Sequence, residues 1–175
     1  MESKSFIDTS MIDSLSAIEG ITMLHFAAKL PSDDMTKLND LANVYPSWNK
    51  TLRYSSFRSN WKLIGKPSTI KDLVRVFQEN NIGLVIGKCF MISSLISYDA
   101  NKLLEKLDNL ILNPPEQFRK FTLSKSDGEY CHILRIYARG ASTLLFPSGR
   151  AIFSTGKDTD HLTFRDCVMR ALNSL

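Results

Sequence analysis

LLFPSGRAIFSTGK, residues 144–157, reads as two strands joined by a tight turn. A proline is pre-set for the second position of a β-turn, and a glycine two residues later serves the fourth. STLLF (142–146) and AIFST (151–155) flank that turn and are rich in residues that favour strands. Side chains alternate along a strand, so Ile152 and Ser154 share one face and Phe153 takes the other. If Ile152 and Ser154 point outward, Phe153 belongs to the core. Phe146 stands just before the turn, where it either projects from the hairpin or enters the core.

Outward from the hairpin, FRKFTLSKS (118–126) and YCHILRIYAR (130–139) read as extended, with a turn at Asp127 and Gly128. Residues 159–175 form a closing helix with Leu162, Phe164, Cys167, Val168, Ala171 and Leu172 on its apolar stripe. Upstream, KCFMISSLISY (88–98) is a strand, Asp99 an N-cap, and NKLLEKLDNLIL (101–112) a helix ended by Pro114 and Pro115. The first half has the same order. ITMLHFAAKL (21–30) is a strand and MTKLNDLANV (35–44) a helix. Residues 45–49 break that helix, and residues 50–66 are extended, with two short strands around Ser59 and Asn60. TIKDLVRVFQENN (69–81) is a second helix with Ile70, Leu73, Val74 and Phe77 at helical spacing. Ile21, Met23 and Leu38 precede Phe90, Ile92 and Leu107 by 69 residues, whereas 71–81 precedes 165–175 by 94. The chain therefore reads as a duplicated unit whose first copy lacks about 25 residues between its helices. The expected division is an N-terminal lead over 1–20, a reduced first lobe over 21–86 and a second lobe over 87–175. Two helices per unit are too few to cover both sides of such a sheet. The expectation is an α+β fold with helices on one face of an antiparallel sheet and the other face left to bind.

Composition narrows the function. The 175 residues are 43% hydrophobic and 23% charged, a folded-domain balance, with net charge +4. Residues 50–71 contain Lys50, Arg53, Arg58, Lys62, Lys66 and Lys71 and no acid, interleaved with Tyr54, Phe57 and Trp61. Cations among aromatics suit phosphate pairing and base stacking, and equally a solvated edge hairpin. Three histidines and three cysteines are scattered without ligand spacing, so neither a metal site nor a disulfide framework is expected. His25 and His132 are expected in strands, as structural or groove residues. LVIGK (84–88) and STGK (154–157) lack phosphate-loop spacing, and no nucleophile elbow or dinucleotide fingerprint occurs, so neither catalysis nor a small-molecule cofactor is expected. No signal peptide or membrane span is legible, and unpaired thiols suit a reducing, intracellular compartment.

The 144–157 segment resembles the hairpin signature of the TATA-box-binding protein family, a Phe-x-Ser-Gly-Lys turn leading into a strand that ends in Thr-Gly. Phe146, Ser148 and Gly149 match, and Arg150 replaces the lysine. ILRIYARG (133–140) is similar to the family's strand that carries a basic residue, and the closing helix and duplicated layout agree. The resemblance covers 88–175 well and 21–81 weakly, which points to a remote, viral-type member rather than a standard cellular one. It implies a saddle: a curved antiparallel sheet, helices on its convex face, a shortened first lobe, and a concave face on the minor groove of duplex DNA.

By position, the resemblance makes Phe146 a wedge between base steps and Arg135 a phosphate contact. Ser154, or Thr155 after a one-residue slip, faces the groove. Ser93 stands where the family has a base-contacting Asn. Glu129 occupies the other wedge position, with Tyr130 as a substitute after a slip. In the first lobe, Trp61 to Lys66 is a shortened remnant of the signature, and Phe57 and Trp61 are the loosest wedge candidates. Arg53, Arg58, Lys62, Lys66 and Arg150 are candidate phosphate contacts. The implied protein is a non-catalytic transcription initiation factor in the nucleus or at a viral transcription site, with polymerase or initiation-factor-like partners. Two alternatives are a protein scaffold in a transcription complex that has lost DNA bending, and an accessory domain for RNA–DNA hybrids.

Overall fold

A computed structural model describes residues 9–56, 60–126 and 132–175. Its elements are α1 (Ser10–Ser16), β1 (Ile21–Lys29), α2 (Met35–Val44), α3 (Trp48–Thr51), β2 (Leu52–Ser55), β3 (Asn60–Gly65), α4 (Pro67–Glu79) and β4 (Val85–Ser97), followed by α5 (Ala100–Leu112), β5 (Thr122–Lys125), β6 (Leu134–Ala138), β7 (Ala141–Leu145), β8 (Arg150–Gly156) and α6 (His161–Asn173). The class is α+β, as expected. The strands are hydrogen-bonded in the order β2-β3-β1-β4-β8-β7-β6-β5. The β1–β3, β2–β3, β5–β6, β6–β7 and β7–β8 pairs are antiparallel. The chain forms two compact units, one ending at Met91 and the other spanning Ile92–Leu175, with the boundary inside β4.

In the first unit the register sets Phe26 opposite Leu63, and Leu63 opposite Leu52. All three are buried, and α4 brings Ile70, Leu73, Val74 and Phe77 to the core. Pro67 begins α4, where its missing N–H is no loss and its fixed φ suits the first turn. His25, Ala27, Lys62 and Arg53 alternate with the buried set and take the opposite, helix-free side. The extended reading of residues 50–66 needs one correction. Residues 48–51 form the short helix α3, and the strands begin only at Leu52.

In the second unit α5 and α6 carry Leu103, Leu107, Leu110, Phe164, Val168, Ala171 and Leu172 onto Leu134, Ile136, Leu145, Ala151 and Phe153. Asp99 caps α5 by accepting from the Asn101 N–H at 3.1 Å, and Asp160 caps α6 by accepting from the Thr163 N–H at 2.8 Å. Phe153 is fully buried, with the Phe164 ring 6.2 Å away at 76°, and Phe164 in turn lies 6.2 Å from Phe121 at 82°. These are edge-to-face contacts, favoured by the ring quadrupoles.

The duplication is visible in the helices. α4 and α6 each have 13 residues, and Ile70, Val74 and Phe77 correspond to Phe164, Val168 and Ala171, all buried. Leu38 and Leu41 of α2 correspond in the same way to Leu107 and Leu110 of α5. Between its helices the first unit has β2 and β3, where the second has β5 to β8, so the shortfall is a pair of strands. The 69-residue offset does not extend to the strands. Leu24, Phe26 and Ala28 of β1 are buried, as is Ser94 of β4, with Ile96 packed against the core. An odd offset would exchange those faces, because a one-residue slip turns a strand over.

Phe153→Ala removes the ring at the centre of the second core and should cost about 3–5 kcal/mol. Urea denaturation followed by circular dichroism measures the loss, and a shift in midpoint no larger than that of a surface substitution contradicts this packing.

Candidate nucleic-acid interface

The helix-free side of the second unit is set by register. Ser124, Arg135, Leu144 and Ile152 lie opposite one another across β5, β6, β7 and β8. Thr122, Tyr137, Ser142 and Ser154 form the next row, and Ser93 of β4 joins it through a hydroxyl–hydroxyl hydrogen bond of 3.2 Å to Ser154. Arg135 is exposed, and its Nε donates to the Ser126 hydroxyl at 3.1 Å, which orients the guanidinium.

The hairpin continues this side. The Phe146 N–H donates to the Arg150 carbonyl at 2.9 Å, extending the β7–β8 pairing by one residue. Phe146 therefore follows Ser142 and Leu144, and Arg150 follows Ile152 and Ser154. Phe146 is half-buried and Arg150 exposed. The Gly149 N–H returns to the Phe146 carbonyl at 3.0 Å, closing the turn with proline second and glycine fourth. Gly149 has φ of 83°. A Cβ there would lie 3.0 Å from the Tyr98 carbonyl oxygen, so both conformation and space require glycine. Tyr98 ties the turn to the end of β4. Its N–H donates to the Gly149 carbonyl at 2.9 Å and its hydroxyl to the Phe146 carbonyl at 2.6 Å. Burial pushes the phenol up to about 12, so the donor proton is retained.

Among the sequence-derived candidates, Phe146, Arg135, Arg150, Ser154 and Ser93 come together on this side. Thr155 does not. It is 1% exposed, faces the helices, and its hydroxyl lies 2.8 Å from His161 Nδ1. In the first unit Arg53 and Lys62 are cross-strand neighbours on the helix-free side. Trp61 shares the side of Leu63 and is half-buried, its ring 5.2 Å from that of Tyr54, so it departs from the wedge expectation. Lys66 is exposed but lies off the strands, at the start of α4. Phe57, Arg58 and Tyr130 lie outside the described residues, as does Glu129. His132 is exposed in a turn rather than a strand.

His25, expected as a structural or groove residue, and Phe90, which was not a candidate, enter the first unit's helix-free side. The His25 and Phe90 rings meet edge-to-face at 5.6 Å, and Lys62 Nζ stands 5.7 Å from the Phe90 centroid. The alternation of β1, with Leu24, Phe26 and Ala28 inward, was enough to place His25 outward. Phe90 carried no such signal, because it sits in a continuous apolar run.

Charge is divided between the elements. The eight strands carry seven Lys and Arg residues (Lys29, Arg53, Lys62, Lys88, Lys125, Arg135 and Arg150) and no acid. Among the other described residues 13 Lys and Arg stand against 14 acids. The described strands thus hold +7 while the other described residues are at −1. Among the described residues no group of three His, Cys, Asp or Glu side chains could hold a metal ion, and no helix is long and apolar enough to cross a membrane.

Beneath the second unit's sheet lies a buried polar knot. The Ser94 hydroxyl lies 2.6 Å from His161 Nε2, Thr155 bridges to Nδ1 from the other side, and Arg165 Nη1 donates to the Ser94 hydroxyl at 3.4 Å. Burial, then the Arg165 guanidinium, lowers His161 to about 4 against a slight opposing pull from Asp160. The knot ties β4 and β8 to α6 behind Ser93 and Ser154.

No family model matches the chain, and neither does any curated protein. Among solved structures the chain is similar to Methanococcus jannaschii TBP, at 11% sequence identity and a TM-score of 0.48, over 89% of this chain and 97% of that one.

Because the fold holds His161 neutral, its contribution to stability is complete above the unfolded value of 6.5 and declines as pH falls towards about 4. Acidification across that window should remove roughly 2–4 kcal/mol. His161→Gln should lack that component in urea titrations at each pH, and an unchanged pH profile contradicts a neutral buried imidazole.

Proposed function

We propose that the chain is a non-catalytic DNA-binding factor of the transcription-initiation type. In this reading the second unit contacts duplex DNA through the helix-free side of β6, β7 and β8 and through the Phe146 hairpin. The observation that carries it is charge: among the described residues the helix-free side of the strands presents Arg135 and Arg150 in the second unit and Lys29, Arg53 and Lys62 in the first, with no acid, while Lys125 turns to the helices and pairs with Asp108. A polyanion gains most from a surface with no carboxylate, because each phosphate contact releases condensed counterions.

The chemistry of that side supports the minor groove. Leu144 and Ile152 give an apolar centre, Arg135 and Arg150 flank it, and Phe146 stands at the hairpin end. Architectural proteins of the minor groove combine an apolar surface, cations and inserted aromatic wedges. The match of 144–157 to the TATA-box-binding hairpin supports the same assignment. The helix sides of the units are then left for polymerase or initiation-factor-like proteins, with the nucleus or a viral transcription site as the setting.

Fluorescence anisotropy with a labelled duplex, repeated over a range of salt, tests the reading. Binding should weaken steeply with salt, and Arg135→Ala or Arg150→Ala should each reduce the logarithmic slope by about 1. Phe146→Ala should lower affinity and abolish bending measured by energy transfer between duplex ends. Full bending in that variant removes the wedge, and absence of duplex binding by the wild-type chain removes the function.

A further inference from the structure

Among the described residues the first unit has a cluster that the second does not reproduce. On its helix-free side Arg53 and Lys62 are cross-strand partners on β2 and β3. Lys62 lies opposite Ala27 of β1, and His25 is two residues along the same strand and face. Phe90 of β4 joins them, its ring centroid 5.6 Å from that of His25 and 5.7 Å from Lys62 Nζ. The Arg53 guanidinium is anchored by Nε donating to the Lys50 carbonyl at 2.9 Å. Neither Lys62 nor Arg53 has an ion-pair partner among the described residues. β1 to β4 contain no acid to neutralise the cluster.

We infer that Lys62, Arg53 and His25 grip a backbone phosphate of the bound nucleic acid, with the Phe90 ring as the apolar floor of the site. This rests on the DNA-binding reading above and adds a specific phosphate site to it, on a surface where no wedge is described. The occupant follows from charge complementarity: two cations and an imidazole on one side of the sheet call for a compact anion, and a phosphodiester supplies it.

The site also predicts a proton linkage. In the free protein His25 is lowered by burial first, then by Lys62 and Arg53. These are the charged groups that β3 and β2 turn towards it. β4 adds the Phe90 ring, with Lys88 two residues before it on the strand; the Cys89 thiol, which burial pushes up, bonds to the backbones of Met91 and His25. A bound phosphate opposes the field of both cations and favours imidazolium. Binding therefore takes up a proton from solvent at His25, and affinity rises as pH falls.

The test uses the full chain and a labelled DNA duplex. Wild-type affinity should increase about 3- to 10-fold from about pH 8 to about pH 6. His25→Gln, with an unchanged thermal midpoint to certify folding, should lose most of that increase. Lys62→Gln and Arg53→Gln should each weaken binding several-fold and reduce the salt slope by about 1. Wild-type pH dependence in His25→Gln, or an unchanged slope in the lysine and arginine variants, overturns the phosphate site while duplex binding stands. If the wild-type chain binds no duplex, the function fails separately. Titration with inorganic phosphate followed by the His25 ring signals then decides the site: an upward shift of its pKa retains it, and no shift overturns it. A polyglutamate peptide that outcompetes the duplex and is lost in Lys62→Gln overturns nucleic acid as the occupant.

Discussion

Phe153 is closed off from solvent by the α6 helix, its ring edge-to-face with Phe164 and through it with Phe121. That contact determines which way β8 faces. With Phe153 inward, Ala151 and Thr155 turn inward with it, and Ile152 and Ser154 must turn out. Pairing carries the choice across the unit, since residues opposite one another in an antiparallel pair share a face. Leu144, Arg135 and Ser142 are thereby turned to the helix-free side by an aromatic contact on the other side of the sheet. The same logic holds in the first unit, where buried Phe26, Leu63 and Leu52 turn His25, Lys62 and Arg53 outward.

One-sided burial separates two tasks. The covered side supplies stability, with aliphatic and aromatic residues from α4 in one unit and from α5 and α6 in the other. The uncovered side is released from packing and accepts cations at no cost to the core. Among the described residues it carries no acid on any strand, whereas carboxylates serve helix starts at Asp99 and Asp160 and surface ion pairs such as Lys125 with Asp108 at 2.7 Å. Placing acids at helix starts favours the helices through the backbone dipole and keeps negative charge off the strands.

The hairpin and the polar knot serve precision rather than bulk stability. Tyr98 holds the Phe146 turn by two hydrogen bonds, so the aromatic at the tip sits on a braced loop. Ser94, Thr155 and His161 satisfy one another's polar groups beneath Ser93 and Ser154. A buried, satisfied network specifies one arrangement of its strands and helix, and so fixes the position of the hydroxyls above it.

Much of the scaffold was legible in the sequence because its signals are local. Proline and glycine at 147 and 149 declared the hairpin, Asp99 and the 3.6-residue spacing of α4, α5 and α6 declared the helices, and the 94-residue offset matched α4 to α6 residue for residue. Alternation alone also set Phe153 on the opposite side from Ile152 and Ser154. What the sequence could not decide was which groups meet across strands. Ser154 and Thr155 were interchangeable until packing buried Thr155 against His161, and Trp61 looked like a wedge until Leu63 pulled its face inward. Phe90, inside an apolar run with no period of its own, joined His25 and Lys62 only through the fold. By itself the sequence determined the elements other than α3, their order and the shortening of the first unit by about 25 residues, since these follow from backbone preferences within a few residues and from the register of the repeat. Only the tertiary structure decided the faces and the charge clusters, since a one-residue register slip, invisible locally, turns every side chain of a strand to the other side.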